Sequence, residues 1–176
     1  MRFLRYELAA LAVASAYGLK VGVITDIHTN PNYDPNISSQ YDCVKQSGAT
    51  TDVVAPLGRY GCDSSIALVD VMLQHFLDTW GKPDILLVTG DHVAHCIDDY
   101  APKMETIATT ASIMNQYFPD VPILFQIGNN DTKDHDQASS QADASSYYGE
   151  LWDVWFEKMS GNAALKNDAT IKSTFM

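Results

Sequence analysis

Asp26 and His28 stand two residues apart where an apolar run, Val21-Gly22-Val23-Ile24-Thr25, gives way to Thr29-Asn30-Pro31-Asn32-Tyr33-Asp34-Pro35. The run reads as a buried strand, and the prolines and asparagines after it stop a strand from continuing. A carboxylate and an imidazole at such a break can turn towards one point, where together they suit a hard or borderline cation. The arrangement returns twice. Pro83-Asp84-Ile85-Leu86-Leu87-Val88-Thr89 runs into Gly90-Asp91-His92-Val93-Ala94-His95, and Val121-Pro122-Ile123-Leu124-Phe125-Gln126-Ile127 into Gly128-Asn129-Asn130-Asp131. Three apolar strands therefore each deliver oxygen or nitrogen donors just past their carboxyl ends, the edge of an open α/β sheet where ligands bind.

The ordered set Asp-x-His, Gly-Asp-x-x-x-His and Gly-Asn-x-Asp resembles the calcineurin-like metallophosphoesterases. Its surroundings look most like the acid sphingomyelinase-like phosphodiesterases. Tyr60-Gly61-Cys62-Asp63-Ser64 is similar to that family's Cys-Asp-Ser helix start, and Trp152-x-x-Trp155 falls in a helix after the third motif. The resemblance runs from about residue 19 to the end. It implies two divalent metal ions, zinc being the first expectation for mixed nitrogen and oxygen ligands in an exported protein. Two such ions about 3.5–4 Å apart hold a hydroxide between them and clamp a phosphoryl group for in-line attack. By resemblance Asp26 and His28 bind the first metal, Asp91 bridges both through its two carboxylate oxygens, and Asn129 binds the second as a neutral ligand. His95 lies near the phosphate as a hydrogen-bond donor or proton source. His92 is expected to be structural.

Two departures from the family pattern stand out. The family's Gly-Asn-His-Asp/Glu is here Gly-Asn129-Asn130-Asp131. Asn130 takes the catalytic histidine's place; it can donate a hydrogen bond but has no proton to give. Loss of a general acid typically costs about 10²–10⁴-fold. His135 is a further substitute to consider. The family also completes its metal sites with histidines from later loops, including Gly-His-x-His. The histidines here are His28, His75, His92, His95 and His135, and none follows a glycine. The 176 residues are thus expected to be the N-terminal portion of a longer catalytic domain, binding metals weakly and inactive by themselves.

The expected activity of the whole protein is metal-dependent hydrolysis of phosphodiesters, with sphingomyelin-like phospholipids or nucleotide-type compounds as substrates. A polyphosphatase or phosphomonoesterase would use the same metals. The alternative from another class is a non-catalytic secreted binding or structural protein that retains the scaffold. A net charge of −11 excludes a phosphate-backbone-binding surface and with it an architectural role on nucleic acid. Small phosphodiesters or phospholipids are the expected partners, with transient contact at a membrane surface.

The fold that must position these donors is α/β: a layered metallophosphoesterase-type sandwich with a mixed sheet flanked by helices. A helix is expected from about Ser64 to Trp80, with Ile66, Val69, Leu73, Phe76, Leu77 and Trp80 on one face, Asp63 or Ser64 as its cap and Gly81 as its stop. His75 lies off that stripe and reads as a surface residue. A second helix spans about Pro102 to Phe118, with Ile107, Ala108, Ala111, Met114 and Phe118 inward. A third carries Tyr148, Leu151, Trp152, Trp155, Phe156 and Met159, aromatics that belong to a core.

Residues 1–18 read as a secretory signal peptide: a positive start, an apolar stretch over Leu8 to Ala16 and Ala14-Ser15-Ala16 as a cleavage site, with cleavage after Gly18 the competing choice. Residues 19–176 then form the catalytic-domain portion, in a secreted protein or one of the lysosomal or vacuolar lumen. Export makes Cys43 and Cys62, which bracket an aperiodic loop, a disulfide pair. Cys96 is left free or paired with a cysteine outside this chain. Asn36-Ile37-Ser38 is a glycosylation acceptor at Asn36.

Overall fold

The computed structural model describes residues 18–41, 43–44, 50–51, 53–134, 136–137 and 141–175. The expected leader, Gly18 apart, and His135 lie outside them. In chain order the elements are β1 (Val21–Ile24), β2 (Thr29–Asn30), β3 (Ser64–Ser65), α1 (Ile66–Trp80), β4 (Ile85–Val88), α2 (Tyr100–Tyr117), β5 (Ile123–Phe125), α3 (Gln141–Trp152) and α4 (Ala169–Phe175).

Three strands make the main sheet in the order β1-β4-β5, all parallel. β1 pairs Val21 with Ile85 and Ile24 with Val88; β4 pairs Leu86 with Ile123 and Val88 with Phe125. Parallel strands need crossover connections, and α1 and α2 supply them. β4 and β5 begin only after Pro83 and Pro122, which cannot donate to a ladder. A second, two-residue pairing joins β2 to β3 in parallel; nothing in its short polar sequence announces a strand.

Helices cover one face of the sheet. Ile24, Leu86, Val88 and Ile123 point into a core with Val69 and Leu73 of α1, Ile107, Ala111 and Met114 of α2, and the aromatic segment that follows α3. The runs read as wholly buried, yet on the opposite face Val21, Val23 and Leu124 remain exposed. Alternate residues of a strand face opposite ways, and the described helices pack on one side.

α1 begins two residues later than expected. Ser65, not Asp63 or Ser64, is its cap: the hydroxyl accepts from the backbone N–H of Leu68 at 3.1 Å. At its other end Gly81, at φ 71°, donates its N–H to Leu77. The expected stripe is inward except Trp80, which is exposed at the last turn of α1. α2 starts before Pro102 and buries three polar residues, Lys103, Thr106 and Thr110. Lys103 Nζ donates to the carbonyl of Thr132, and the hydroxyl of Thr110 to that of Thr29. The aromatic helix is core as expected. After α3 it widens into a π-type turn over Asp153–Glu157 that brings Val154, Trp155 and Phe156 inward. Asn162, fully buried, accepts from Ile123 N–H and donates to Ile123 C=O, closing the outer edge of β5. A disulfide joins Cys43 to Cys62, as expected.

Leu86, fully buried in β4, and Val23, on the open face, test this assignment of faces. Leu86→Ala should cost about 2–5 kcal/mol, and Val23→Ala less than about 1 kcal/mol, measured by urea unfolding. A larger cost at Val23 would mean the sheet is turned over.

Candidate metal centre

Beyond their last strand residues, β1 and β4 continue side by side as loops. Thr89 N–H donates to Ile24, Asp26 N–H to Gly90, His28 N–H to Asp91 and Thr29 N–H to His92. This continued pairing carries Asp26, His28 and Asp91 to one place. Ile27, between the first two, is buried; it anchors the loop while its neighbours turn outward. All three candidate ligands adopt left-handed backbone, with φ of 52°, 44° and 52°. Outside glycine that conformation is uncommon, tolerated best by Asp, Asn and His, and concentrated at functional sites.

One donor atom from each of Asp26, His28 and Asp91 lies within 4.8 Å of the others. Donors on opposite sides of a cation with bonds of about 2.1 Å stand about 4.2 Å apart, so rotamer-scale adjustment seats an ion. His28 Nδ1–H donates to the carbonyl of Val93 at 3.0 Å, leaving Nε2 3.7 Å from Asp91 Oδ2. A ligating imidazole whose other nitrogen is tied to a backbone carbonyl is the usual supporting arrangement. Thr25 Oγ1 donates to Asp26 Oδ2. The donor set therefore fits a divalent cation.

The loop after β5 closes the site from the other side. Asp131 is fully buried, and its carboxylate accepts three backbone N–H groups: His92 at 2.7 Å and Val93 at 3.0 Å through Oδ1, and Gly128 at 2.9 Å through Oδ2. The two loops pass so closely that a Cβ on Gly90 would lie 2.5 Å from the nitrogen of Gly128, and one on Gly128 2.1 Å from Asp91 Oδ1. Both glycines are required by that approach. Asn130 N–H donates to Asp91 Oδ1 at 3.0 Å, so one oxygen of the expected bridging carboxylate is held by the third motif while the other faces His28.

The expected site residues are thus brought to one edge, with different settings. Asn129 is exposed and its amide donates to Asp136 Oδ1 at 2.9 Å. Asn130 is buried, and its backbone N–H is what reaches the site. His95 stacks on His28, the ring centroids 4.3 Å apart and the planes 20° from parallel. His92 is buried against the stacked rings of Phe125 and Trp155 and donates from Nε2 to Gln126 C=O, the structural role expected of it. His75 is a surface residue beside Thr79. Asn36 lies exposed on its loop.

Sequence reasoning missed two residues. Asp63 is not a helix cap: both its oxygens serve His95, accepting from the backbone N–H at 2.8 Å and from Nδ1 at 2.9 Å. Its signal was the Cys62-Asp63-Ser64 motif, which a capping explanation had absorbed. Asp131 closes the third motif, yet nothing in the sequence separates a ligand carboxylate from one turned inward.

The calcineurin-like phosphoesterase family model matches residues 19–174. The chain is 28% identical over 157 residues to acid sphingomyelinase-like phosphodiesterase 3b of Mus musculus, covering 87% of this chain and 34% of that protein. It is 33% identical over 152 residues to the endopolyphosphatase of Schizosaccharomyces pombe, covering 75% of this chain and 26% of that protein. It is 27% identical over 143 residues to sphingomyelin phosphodiesterase A of Dictyostelium discoideum, covering 76% and 24%. The matched part of the chain therefore spans 24–34% of the length of these relatives.

Removing the Asp131 carboxylate strands three backbone donors, each costing about 1–3 kcal/mol when left unmade. Asp131→Ala should therefore lose at least about 3 kcal/mol in urea unfolding; a cost below about 1 kcal/mol would show that these loops are held by something else.

Burial holds the folded His92 ring neutral, pushing its pKa below the ordinary value despite Asp131 nearby. The unfolded chain takes up a proton there as the pH falls below about 6.5, while the folded ring does so only at lower pH. This contribution to stability is complete above that pH and shrinks as the pH falls. His92→Gln should lose less stability than the parent between pH 7.5 and 5.5. Equal losses in the two proteins would contradict it.

Proposed function

Since this chain belongs to the calcineurin-like phosphoesterase family, we propose that residues 19–176 are the N-terminal portion of a metal-dependent phosphodiesterase domain. The observation that carries this reading is the convergence of Asp26, His28 and Asp91 at the carboxyl edge of a parallel sheet. Their left-handed backbone supports it further, because strained ligand positions are poorly explained by packing.

Asp26, His28, Asp91 and Asn129 are the residues that would hold two divalent ions, zinc by the chemistry of the mixed donor set. When bound, such ions neutralise phosphoryl charge and lower the pKa of water. The chain's own residues do the positioning. Asp91 divides its oxygens between the His28 side and the Asn130 N–H. The Val93 carbonyl fixes His28 with Nε2 towards the site. His95, stacked over His28 and largely exposed, donates a hydrogen bond to a substrate phosphoryl oxygen or a proton to the leaving group. Asn130 contributes no proton, which places that task on His95.

Phosphodiesters, of sphingomyelin-like lipid or nucleotide type, are the proposed substrates, and the relatives named for sphingomyelin phosphodiesterase activity support this. Similarity to an endopolyphosphatase at 33% identity favours polyphosphate as the second reading. The Cys43–Cys62 disulfide suits an oxidising compartment and, with the N-terminal leader signature, supports secretion or residence in the lysosomal or vacuolar lumen. Glycosylation at the exposed Asn36 belongs to the same proposal.

The test uses protein secreted from the complete gene. Metal content by mass spectrometry should be two divalent ions per chain, lost in Asp91→Ala together with hydrolysis of bis(4-nitrophenyl) phosphate. His95→Ala should keep its metals and lose about 10²–10⁴-fold in kcat. Polyphosphate cleaved in place of the diester would select the second reading. A folded protein without metal would overturn both.

A further inference from the structure

We propose that Asp63 is a positioning residue for His95, setting both the place and the tautomer of its ring; the inference rests on the phosphodiesterase reading above. Asp63 lies 32 residues before His95, directly after the disulfide-bonded Cys62 and before β3. One carboxylate meets one residue twice: Oδ2 accepts the His95 backbone N–H at 2.8 Å, and Oδ1 faces Nδ1 at 2.9 Å. The first contact fixes the chain and the second fixes the ring.

An ionised carboxylate only accepts, so the Nδ1 it faces must carry the hydrogen. Nε2 is then the nitrogen left for substrate; it donates when the ring carries both protons, with Nδ1–H still held by Asp63. His28 is set the same way, its Nδ1–H given to the Val93 carbonyl. The two stacked imidazoles, 4.3 Å apart, thus each spend Nδ1 on the protein. Ion pairing alone does not explain this geometry, since exposed pairs are worth little. The His95 side chain is 63% exposed and that of Asp63 17%; a solvent-facing imidazole held by stacking alone would retain its rotamer freedom. Asp63 and His95 also line one cleft of about 400 Å³, with Gly61, Cys62 and Cys96, where a group leaving the phosphoryl centre could lie against the oriented ring.

The test separates this proposal from the functional reading by using a measurement that needs no activity. Long-range proton–nitrogen correlation spectra of the full chain, with ¹⁵N-labelled histidine, report the tautomer of each neutral ring at pH about 8.5, above the ordinary imidazole range. His95, assigned by its loss in His95→Gln, should carry its proton on Nδ1. Asp63→Asn keeps the shape but has a single acceptor oxygen, so the ring should shift towards the Nε2–H form. Asp63→Ala should shift it likewise. An unchanged His95 in both variants would overturn the proposal. In protein from the complete gene, Asp63→Asn should retain its metals and KM for bis(4-nitrophenyl) phosphate while kcat falls about 10–100-fold, the cost of a misplaced catalytic group. An active parent with unchanged kcat in Asp63→Asn would also overturn it. An inactive parent that shows the expected tautomer would sink the functional reading and leave the Asp63–His95 assignment standing.

Discussion

The carboxylate of Asp131 is the constraint on which the candidate site depends. It is buried and carries negative charge away from water, which is costly unless hydrogen bonds replace the lost hydration. Three backbone N–H groups from two different strand ends do so. In exchange, the loop after β4 and the loop after β5 cannot drift apart without exposing an unpaired charge to the core. The hydroxyl of Tyr147 adds a tie from the helical layer, donating to the Asp131 carbonyl at 2.7 Å. With the loops clamped, Gly90 and Gly128 press together and Asn130 N–H meets Asp91.

The same clamp explains how the candidate ligands can sit in left-handed backbone. Each such residue costs of order 1–3 kcal/mol and persists only where surrounding contacts over-determine it. Between Ile24 and Ala94 the paired loops supply a continuous run of backbone hydrogen bonds, and buried Ile27 and Val93 pin both sides. The result brings two carboxylates together beside an imidazole in a chain of net charge −11. Two like charges about 4 Å apart repel by about 1 kcal/mol in water and by more at a protein surface. A divalent cation turns that repulsion into attraction.

Three histidines close to one another have separate roles because their surroundings differ. His28 is partly buried, oriented by a carbonyl, and faces a carboxylate. His92, one residue past Asp91, is enclosed by aromatic rings and kept neutral. His95 stands in solvent but is held by Asp63. Spacing alone cannot assign these roles, since His92 and His95 follow the same strand.

Much of this was legible in the sequence because it is local. The apolar runs ending at Thr25, Thr89 and Ile127 set the strands; stripes at helical spacing set α1 and α2; and donors beyond each strand end marked the functional edge. Loop composition pointed to the Cys43–Cys62 pairing. The parts that escaped depend on which group another segment presents. Trp80 continued the apolar stripe of α1 yet stays exposed, and Val21 and Val23 belong to a face the described helices do not cover. Asp63 served a histidine 32 residues away rather than its own helix, where Ser65 took the cap. Sequence by itself determined the elements and the kinds of donor at their ends, since both follow from periodicity and side-chain chemistry. Only the tertiary structure decided that Asp91 turns outward to the candidate metal centre and Asp131 inward to the backbone, because a carboxylate's role is set by the donors packed around it.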